Sequence, residues 1–416
     1  MRTHRTQRTT FDSRAWPRPL PWAPFYVLII VAFLHFGCTP KFGPPVRPVN
    51  YSALAAVERA DAPTSPSQVY ALLINGGGQP DENYASHLAH LRSVTGFLQQ
   101  AGVERRRVTV LSGDGSNPAP DLAVGLPDVE GSWLLGGVPG DDDMRHLVRL
   151  ENSTIPEVSL RPANTAEIAH WFRDVGPSLR AGDTLLLYVT DHGIRNASDV
   201  LDNRIILWGK NASISVRELR SLLRTLHPGV RVVTLMSQCF SGGFAWLGRD
   251  DGQQLPVKNV CGYFSSRFDM SAYGCYADAD SSEQDGHSFA FLRAVAQSGS
   301  FAEAHKSTLL LDRTPDVPLR TSDIWLQELL HDVADASEMD IAQLTNALLG
   351  EAWENRSAWE SEIRMLDQLG ESFGIPSMQS KAEIERTVEQ LSMARRQFET
   401  NSRLWSSALR TAVKDG

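Results

Sequence analysis

Two apolar runs constrain this chain more than any other feature: LLLYVT (185–190) and RVVTLM (231–236). Each is followed at once by side chains that do chemistry, Asp191, His192 and Gly193 after the first, and Ser237, Gln238 and Cys239 after the second. Short apolar runs with polar boundaries read as strands buried on both faces, the kind found inside parallel sheets. Between them lies SVRELRSLLRTLH, where Ser215 and Glu218 make a capping box and Val216, Leu219, Leu222, Leu223 and Leu226 fall on one helical face. Pro228 and Gly229 end that helix. A strand, helix, strand unit closes by a right-handed crossover and sets its two strands parallel in one sheet. Ligands of open parallel sheets bind at the carboxyl ends of the strands. His192 and Cys239, 47 residues apart in the chain, are therefore expected to meet at that rim.

The flanking sequence repeats the pattern. VYALLING (69–76), SHLAHLRSVTGFLQQAG (86–102) and RRVTVLSG (106–113) form a second strand, helix, strand unit. From Asp114 to Pro162 a long polar stretch follows; its acidic run Asp141, Asp142, Asp143 reads as a solvated loop rather than a metal site. Asn164 and Glu167 cap a helix whose Ile168, Trp171, Phe172, Val175 and Leu179 share a face. RIILWG (204–209) and NVCGYFSS (259–266) are further strands and GHSFAFLRAVAQ (286–297) a further helix. The alternation predicts an α/β fold, a doubly wound, mostly parallel sheet with helices on both faces. Beyond Thr321 the spacing turns heptad-like with abundant charge, which predicts a helical C-terminal region over 322–416.

The N-terminus reads as an export signal over residues 1–38. Arg2, Arg5, Arg8, Arg14 and Arg18 face a single acid, Asp12, before the apolar run Phe25–Phe36, which is shorter than the ~20 residues of a spanning helix. Gly37 and Cys38 resemble the end of a bacterial lipoprotein signal, with Cys38 as the lipidation site and a membrane attachment in the cell envelope. An uncleaved anchor or an ordinary secretion signal is the alternative. Pro40, Pro44, Pro45, Pro48, Pro63 and Pro66 make residues 39–68 a linker. The net charge of -9, with basic residues spread among acidic ones, excludes nucleic acid as an expected partner. In an oxidising compartment Cys261 and Cys275 are close enough to close a short disulfide loop, the alternative being two free thiols. No C-x-x-C or H-x-x-x-H spacing occurs, so no metal and no cofactor is expected. The triplet GGG (76–78) lacks the Lys-Ser/Thr of a phosphate loop and has Pro80 where its helix should begin.

A thiol attacks as the thiolate, and a neighbouring imidazole takes its proton and later returns one to the leaving amine. Cys239 and His192 can form such a dyad. Gly193 admits its own backbone N–H to a developing oxyanion, beside the N–H of Cys239. Gly242 and Gly243 let a substrate backbone come near, and Asp191 can orient the loop or the imidazole or, as the sequence neighbour of His192, point away.

In these two strand ends the chain resembles the caspase-like fold of cysteine peptidases that includes legumains, caspases, gingipains and separase. It is most similar to the legumain branch, whose YFTDHG is nearly the YVTDHG found here, and SAYGCY (271–276) and GHSFAFL look like that branch's later segments. The resemblance covers roughly residues 69–320. It implies a cysteine-type endopeptidase acting on proteins or peptides through an acyl-thioester on Cys239, with His192 as general acid/base. It also implies substrate-binding positions at Asn83, Ser237, Gln238, Ser265 and His287, and a C-terminal helical region in contact with the catalytic domain. Departures from the pattern concern the pocket. Ser237 stands where legumains have Glu, the caspase Gln appears one position late as Gln238, the pocket arginine expected between Tyr84 and His87 is missing, and His287 replaces an acid. The resemblance thus carries over the dyad without its cleavage preference. A transpeptidase using the same dyad, or a silent binding scaffold, are the other functions such a chain can have.

Overall fold

The run that leads to His192 is the middle of the sheet. In a computed structural model, which describes residues 65–125, 148–249, 259–275 and 286–393 apart from 313, 315, 373 and 392, β6 (Thr184–Val189) is buried at every position. It pairs in parallel with β1 (Val69–Asn75) on one side and β10 (Arg231–Met236) on the other. Outward from β1 lie β2 (Val108–Ser112) and β5 (Leu160–Arg161); outward from β10 lie β11 (Val260–Phe264) and β12 (Leu319–Arg320). Of these seven strands β12 alone runs antiparallel to its neighbour.

Side-chain alternation divides the core between two faces. Ala71, Leu73, Leu186, Tyr188 and Leu235 pack against Leu88, Leu91 and Val94 of α1 (Ala85–Gln100) and Phe291 and Val295 of α4 (His287–Ser298). Leu72, Ile74, Leu185, Leu187, Val232 and Met236 meet Ile168, Trp171 and Phe172 of α2 (Thr165–Asp174) and Leu219 and Leu223 of α3 (Val216–Leu223). Burial of each such side chain contributes roughly 1.5–3 kcal/mol. Because neither face meets water, the central strands show unbroken apolar runs rather than alternation. The doubly wound, mostly parallel sheet expected of a caspase-like chain is what the structure has.

The differences lie in short elements. The stretch read as one polar loop contains β3 (Leu122–Gly125) and β4 (Val148–Glu151), an antiparallel pair, as well as β5. Three of the four β4 residues are exposed, so it carries no apolar pattern to detect. After β6 a small antiparallel sheet forms from β7 (Gly193–Ile194), β8 (Arg204–Ile206) and β9 (Ser213–Ser215). A helix absent from the sequence reading, α5 (Phe301–Leu311), packs next to α4.

The described part of the C-terminal region is helical: α6 (Thr321–Ala336) starts directly after β12, followed by α7 (Ile341–Glu354) and α8 (Glu360–Ser372). Leu309 of α5 shares an apolar cluster with Leu349, Trp359, Leu366 and Leu369. Buried Asp323 links Arg320, at 2.9 Å, to His305 of α5, at 3.5 Å, and Glu328 meets Arg249 at 2.8 Å.

The export signal, Cys38 and nearly all of the linker lie outside the described residues, as do Asp141, Asp142 and Asp143. Among the described residues no helix is long and apolar enough to cross a membrane. The expected Cys261–Cys275 disulfide is corrected: neither cysteine is in a disulfide. Cys261 points outward from β11 and is exposed, whereas the Cys275 thiol faces the imidazole of His87 at 3.4 Å. Ser86 Oγ, donating to the Gly274 carbonyl at 2.6 Å, fastens that segment to α1 and away from β11.

Candidate active site

Strand register brings the two reactive residue types together. Val189 pairs with Met236 at the end of β6 and β10, and the Ser237 N–H continues the ladder by donating to the Val189 carbonyl at 2.9 Å. His192 and Cys239 each lie three residues beyond the Val189–Met236 pair. A Cβ added to Gly193 would sit 2.0 Å from the Cys239 carbonyl oxygen, so the two backbones are in contact. The rim is also where the strand order reverses, since β1 leads outward to β2 while β6 leads to β10 on the other side. Such a switch point opens a crevice at the strand ends.

His192 is partly exposed, and its tautomer is fixed. Its Nε2 lies 2.8 Å from the carbonyl oxygen of Glu82. A carbonyl only accepts, so Nε2 carries the proton and Nδ1 keeps its lone pair. The rings of Tyr84 and His87 stand edge-on to it at 5.5 and 5.2 Å. Burial holds the imidazole pKa below its ordinary 6.5, against the pull of the Glu82 carbonyl. Cys239 Sγ accepts a hydrogen bond from the Ala272 N–H at 3.3 Å. Burial pushes this thiol above its ordinary 9.0, and Asp316 adds to the rise against the opposing Ala272 N–H. At rest the two groups are therefore a neutral imidazole and a protonated thiol. Just after the thiol, Phe240 takes a left-handed backbone conformation, φ 60°, which is uncommon for a residue with a side chain.

Asp191 serves the loop. Its Oδ1 accepts the N–H of Gly77 at 3.0 Å and of His192 at 2.6 Å, and its Oδ2 accepts the N–H of Gly76. The glycines after β1 thus spend their donors on an internal carboxylate instead of a phosphate. Burial raises the Asp191 carboxyl to about 8 from 3.8, partly offset by those three N–H groups. A raised carboxyl pKa means that its contribution to stability is complete below pH 3.8 and is lost as the pH climbs towards about 8. Asp191→Ala orphans three buried donors, each costing ~1–3 kcal/mol. Urea unfolding near pH 4, where that contribution is close to complete, is expected to show a loss of about 3 kcal/mol or more, shrinking as the pH rises.

The five expected substrate-binding side chains are all buried and bonded within the protein. Asn83, wholly buried, accepts from Asn75 Nδ2 at 2.7 Å and donates to the Asp121 carbonyl at 2.7 Å. Ser237 Oγ lies 3.0 Å from His287 Nδ1 and 2.7 Å from Ser288 Oγ, which in turn meets the Tyr188 hydroxyl at 2.6 Å. Gln238 is inside with its amide on Met236 Sδ, and Ser265 Oγ bonds Ser241 Oγ at 3.2 Å. These residues frame the rim. Gly242 and Gly243 also face inward: a Cβ on Gly242 would lie 2.7 Å from the Ser266 carbonyl oxygen and one on Gly243 2.6 Å from Asn203 Nδ2.

Sequence reasoning missed several groups at the rim. The Glu82 carbonyl and the Ala272 N–H are backbone atoms that no side-chain pattern marks. Asp316, buried, accepts the Tyr273 N–H at 2.6 Å. His87, His192 and Cys275 form a metal-capable group whose ligand atoms lie within 4.8 Å of one another. Local spacing could not reveal it, since its members come from three distant segments.

No protein-family profile and no curated protein matches the chain. Among solved structures it is similar to a protein of Geobacter sulfurreducens, with 17% identity and a TM-score of 0.29 over 39% of this chain and 76% of that one. It is also similar to caspase-1 from Spodoptera frugiperda, with 10% identity and a TM-score of 0.34 over 62% of this chain and 87% of that one.

Proposed function

We propose that this chain is a cysteine-type endopeptidase in which Cys239 attacks a peptide carbonyl and His192 moves the protons. The observation that carries this most is the fixed tautomer of His192: the Glu82 carbonyl holds Nε2–H, leaving Nδ1 as a base on the rim that also bears the Cys239 thiol. When substrate enters, Nδ1 takes the thiol proton as Sγ bonds to the scissile carbonyl carbon. The negative charge moves to the carbonyl oxygen, where the backbone N–H groups of Gly193 and Cys239 stabilise it. Collapse breaks the C–N bond, and the imidazolium gives its proton to the leaving amine. A water deprotonated by Nδ1 then cleaves the thioester and returns the thiol. Through both steps the Glu82 carbonyl keeps the ring oriented and stabilises its charged form.

Kinship with the legumain branch is supported by YVTDHG and SAYGCY. Action on exported or envelope proteins is supported by the basic start, the apolar run and Cys38 of residues 1–38. A peptide-library digest tests the function: cleavage by the wild type and none by Cys239→Ala is expected, and a wild type without turnover contradicts it in favour of a binding scaffold.

A neutral resting pair has a pH signature. The acid limb of kcat/KM is expected below pH 6.5, where His192 protonates, and the alkaline limb above pH 9.0, where the thiol proton is lost. Iodoacetamide should likewise alkylate Cys239 slowly at neutral pH and faster as the pH passes 9.0. Fast alkylation persisting to pH ~5 would instead mark a preformed thiolate–imidazolium pair.

A further inference from the structure

Beside the dyad, on its α1 side, three side chains converge that catalysis as described does not use together. His87, buried in the first turn of α1, brings its Nε2 to 3.4 Å from the Cys275 thiol. The His87 and His192 rings stand 5.2 Å apart at 76°. Each of the three residues offers one ligand atom, and these atoms lie within 4.8 Å of one another. We propose that His87, His192 and Cys275 form a zinc(II)-type metal site whose occupation removes the base from the dyad.

The donor set decides the class of metal. Two imidazoles and a thiolate suit zinc and other borderline or soft ions, while magnesium and calcium require oxygen ligands that this trio lacks. Zinc bonds of ~2.0–2.3 Å in a tetrahedron separate ligand atoms by roughly 3.3–3.7 Å. The His87–Cys275 pair is already at 3.4 Å and all three ligand atoms lie within 4.8 Å, so the site completes itself by a shift of at most about 1.5 Å in His192. His192 also has the outer partner a ligating histidine needs, since Nε2–H donates to the Glu82 carbonyl and Nδ1 is left to bind. The Cys275 segment is held in place by the Ser86 to Gly274 hydrogen bond. On binding, the Cys275 thiol releases its proton to solvent and the fourth position is left to water.

One lone pair cannot serve two partners. With Nδ1 of His192 on the metal, nothing takes the Cys239 proton, so the bound metal inhibits. This consequence rests on the peptidase function proposed above; the binding itself does not.

Cobalt(II) reads the two apart. Full-length protein with its thiols reduced is expected to bind one equivalent of cobalt, with tetrahedral d–d bands and a thiolate-to-cobalt charge-transfer band that zinc abolishes. Cys275→Ser should lose the charge-transfer band, and His87→Gln should weaken binding by ~100-fold or more, since even an outer partner is worth 10–100-fold. Cys239→Ala should keep the spectrum. A wild type without the charge-transfer band, or a band kept in Cys275→Ser but lost in Cys239→Ala, overturns the site without recourse to any variant's activity. In the peptidase assay zinc should inhibit the wild type and require ~100-fold more metal to inhibit His87→Gln; equal inhibition of both overturns the site. A wild type with no peptidase activity in metal-free buffer overturns the proposed function alone, and the cobalt band still decides the site.

Discussion

Cys239→Ala is expected to abolish peptide-bond hydrolysis, and His192→Ala to lower kcat/KM by ~10³-fold or more at neutral pH. Without the thiol no acyl-enzyme can form. The loss in His192→Ala follows from the resting protonation: burial holds the Cys239 thiol above 9.0, so without a base the nucleophile is almost entirely protonated at pH 7. Raising the pH should rescue His192→Ala in part, because hydroxide then ionises the thiol, while Cys239→Ala stays silent at every pH. Because a dyad acts as a unit, the double variant should be no worse than Cys239→Ala. A His192→Ala variant within ~10-fold of the wild type would mean that another group takes the proton.

Gly193→Ala is the second large effect. The new Cβ would lie 2.0 Å from the Cys239 carbonyl oxygen and 2.9 Å from its carbonyl carbon, both backbone atoms with no rotamer to yield. The rim must open by about 1 Å, and misplacement on that scale costs ~10²-fold in rate. Overpacking adds ~1–3 kcal/mol of instability. Gly96→Ala is the matched control: on α1, with nothing within 4 Å of its Cβ, it should be neutral or stabilising by about 1 kcal/mol. Rate measurements and urea melts on both variants check this. A Gly193→Ala enzyme with wild-type kcat/KM would show that the two backbones do not meet there.

How much of this was legible in the sequence follows from which atoms do the work. The sheet was readable because β6 and β10 are buried on both faces and their connection contains one well-capped helix. His192 and Cys239 were readable for the same reason, as strand ends carried to one rim. Asp191 was ambiguous in sequence because its partners, the N–H groups of Gly76 and Gly77, come from a strand more than 100 residues away. The surroundings of the pocket positions were hidden for a related reason. Ser237 and His287 bond each other across the end of the sheet, a closed pair that a residue-by-residue comparison treats as two open ones. The disulfide failed because sequence proximity says nothing about direction: Cys261 faces out of a strand while Cys275 faces His87.

The most direct measurement is covalent labelling by tagged acyloxymethyl ketones, with the modified residue located by peptide mapping. The tag is expected on Cys239 of the wild type at neutral pH, to be lost in Cys239→Ala and nearly lost in His192→Ala. A tag on Cys275 or Cys261 instead, or equal labelling of Cys239 with and without His192, would contradict a Cys239–His192 dyad.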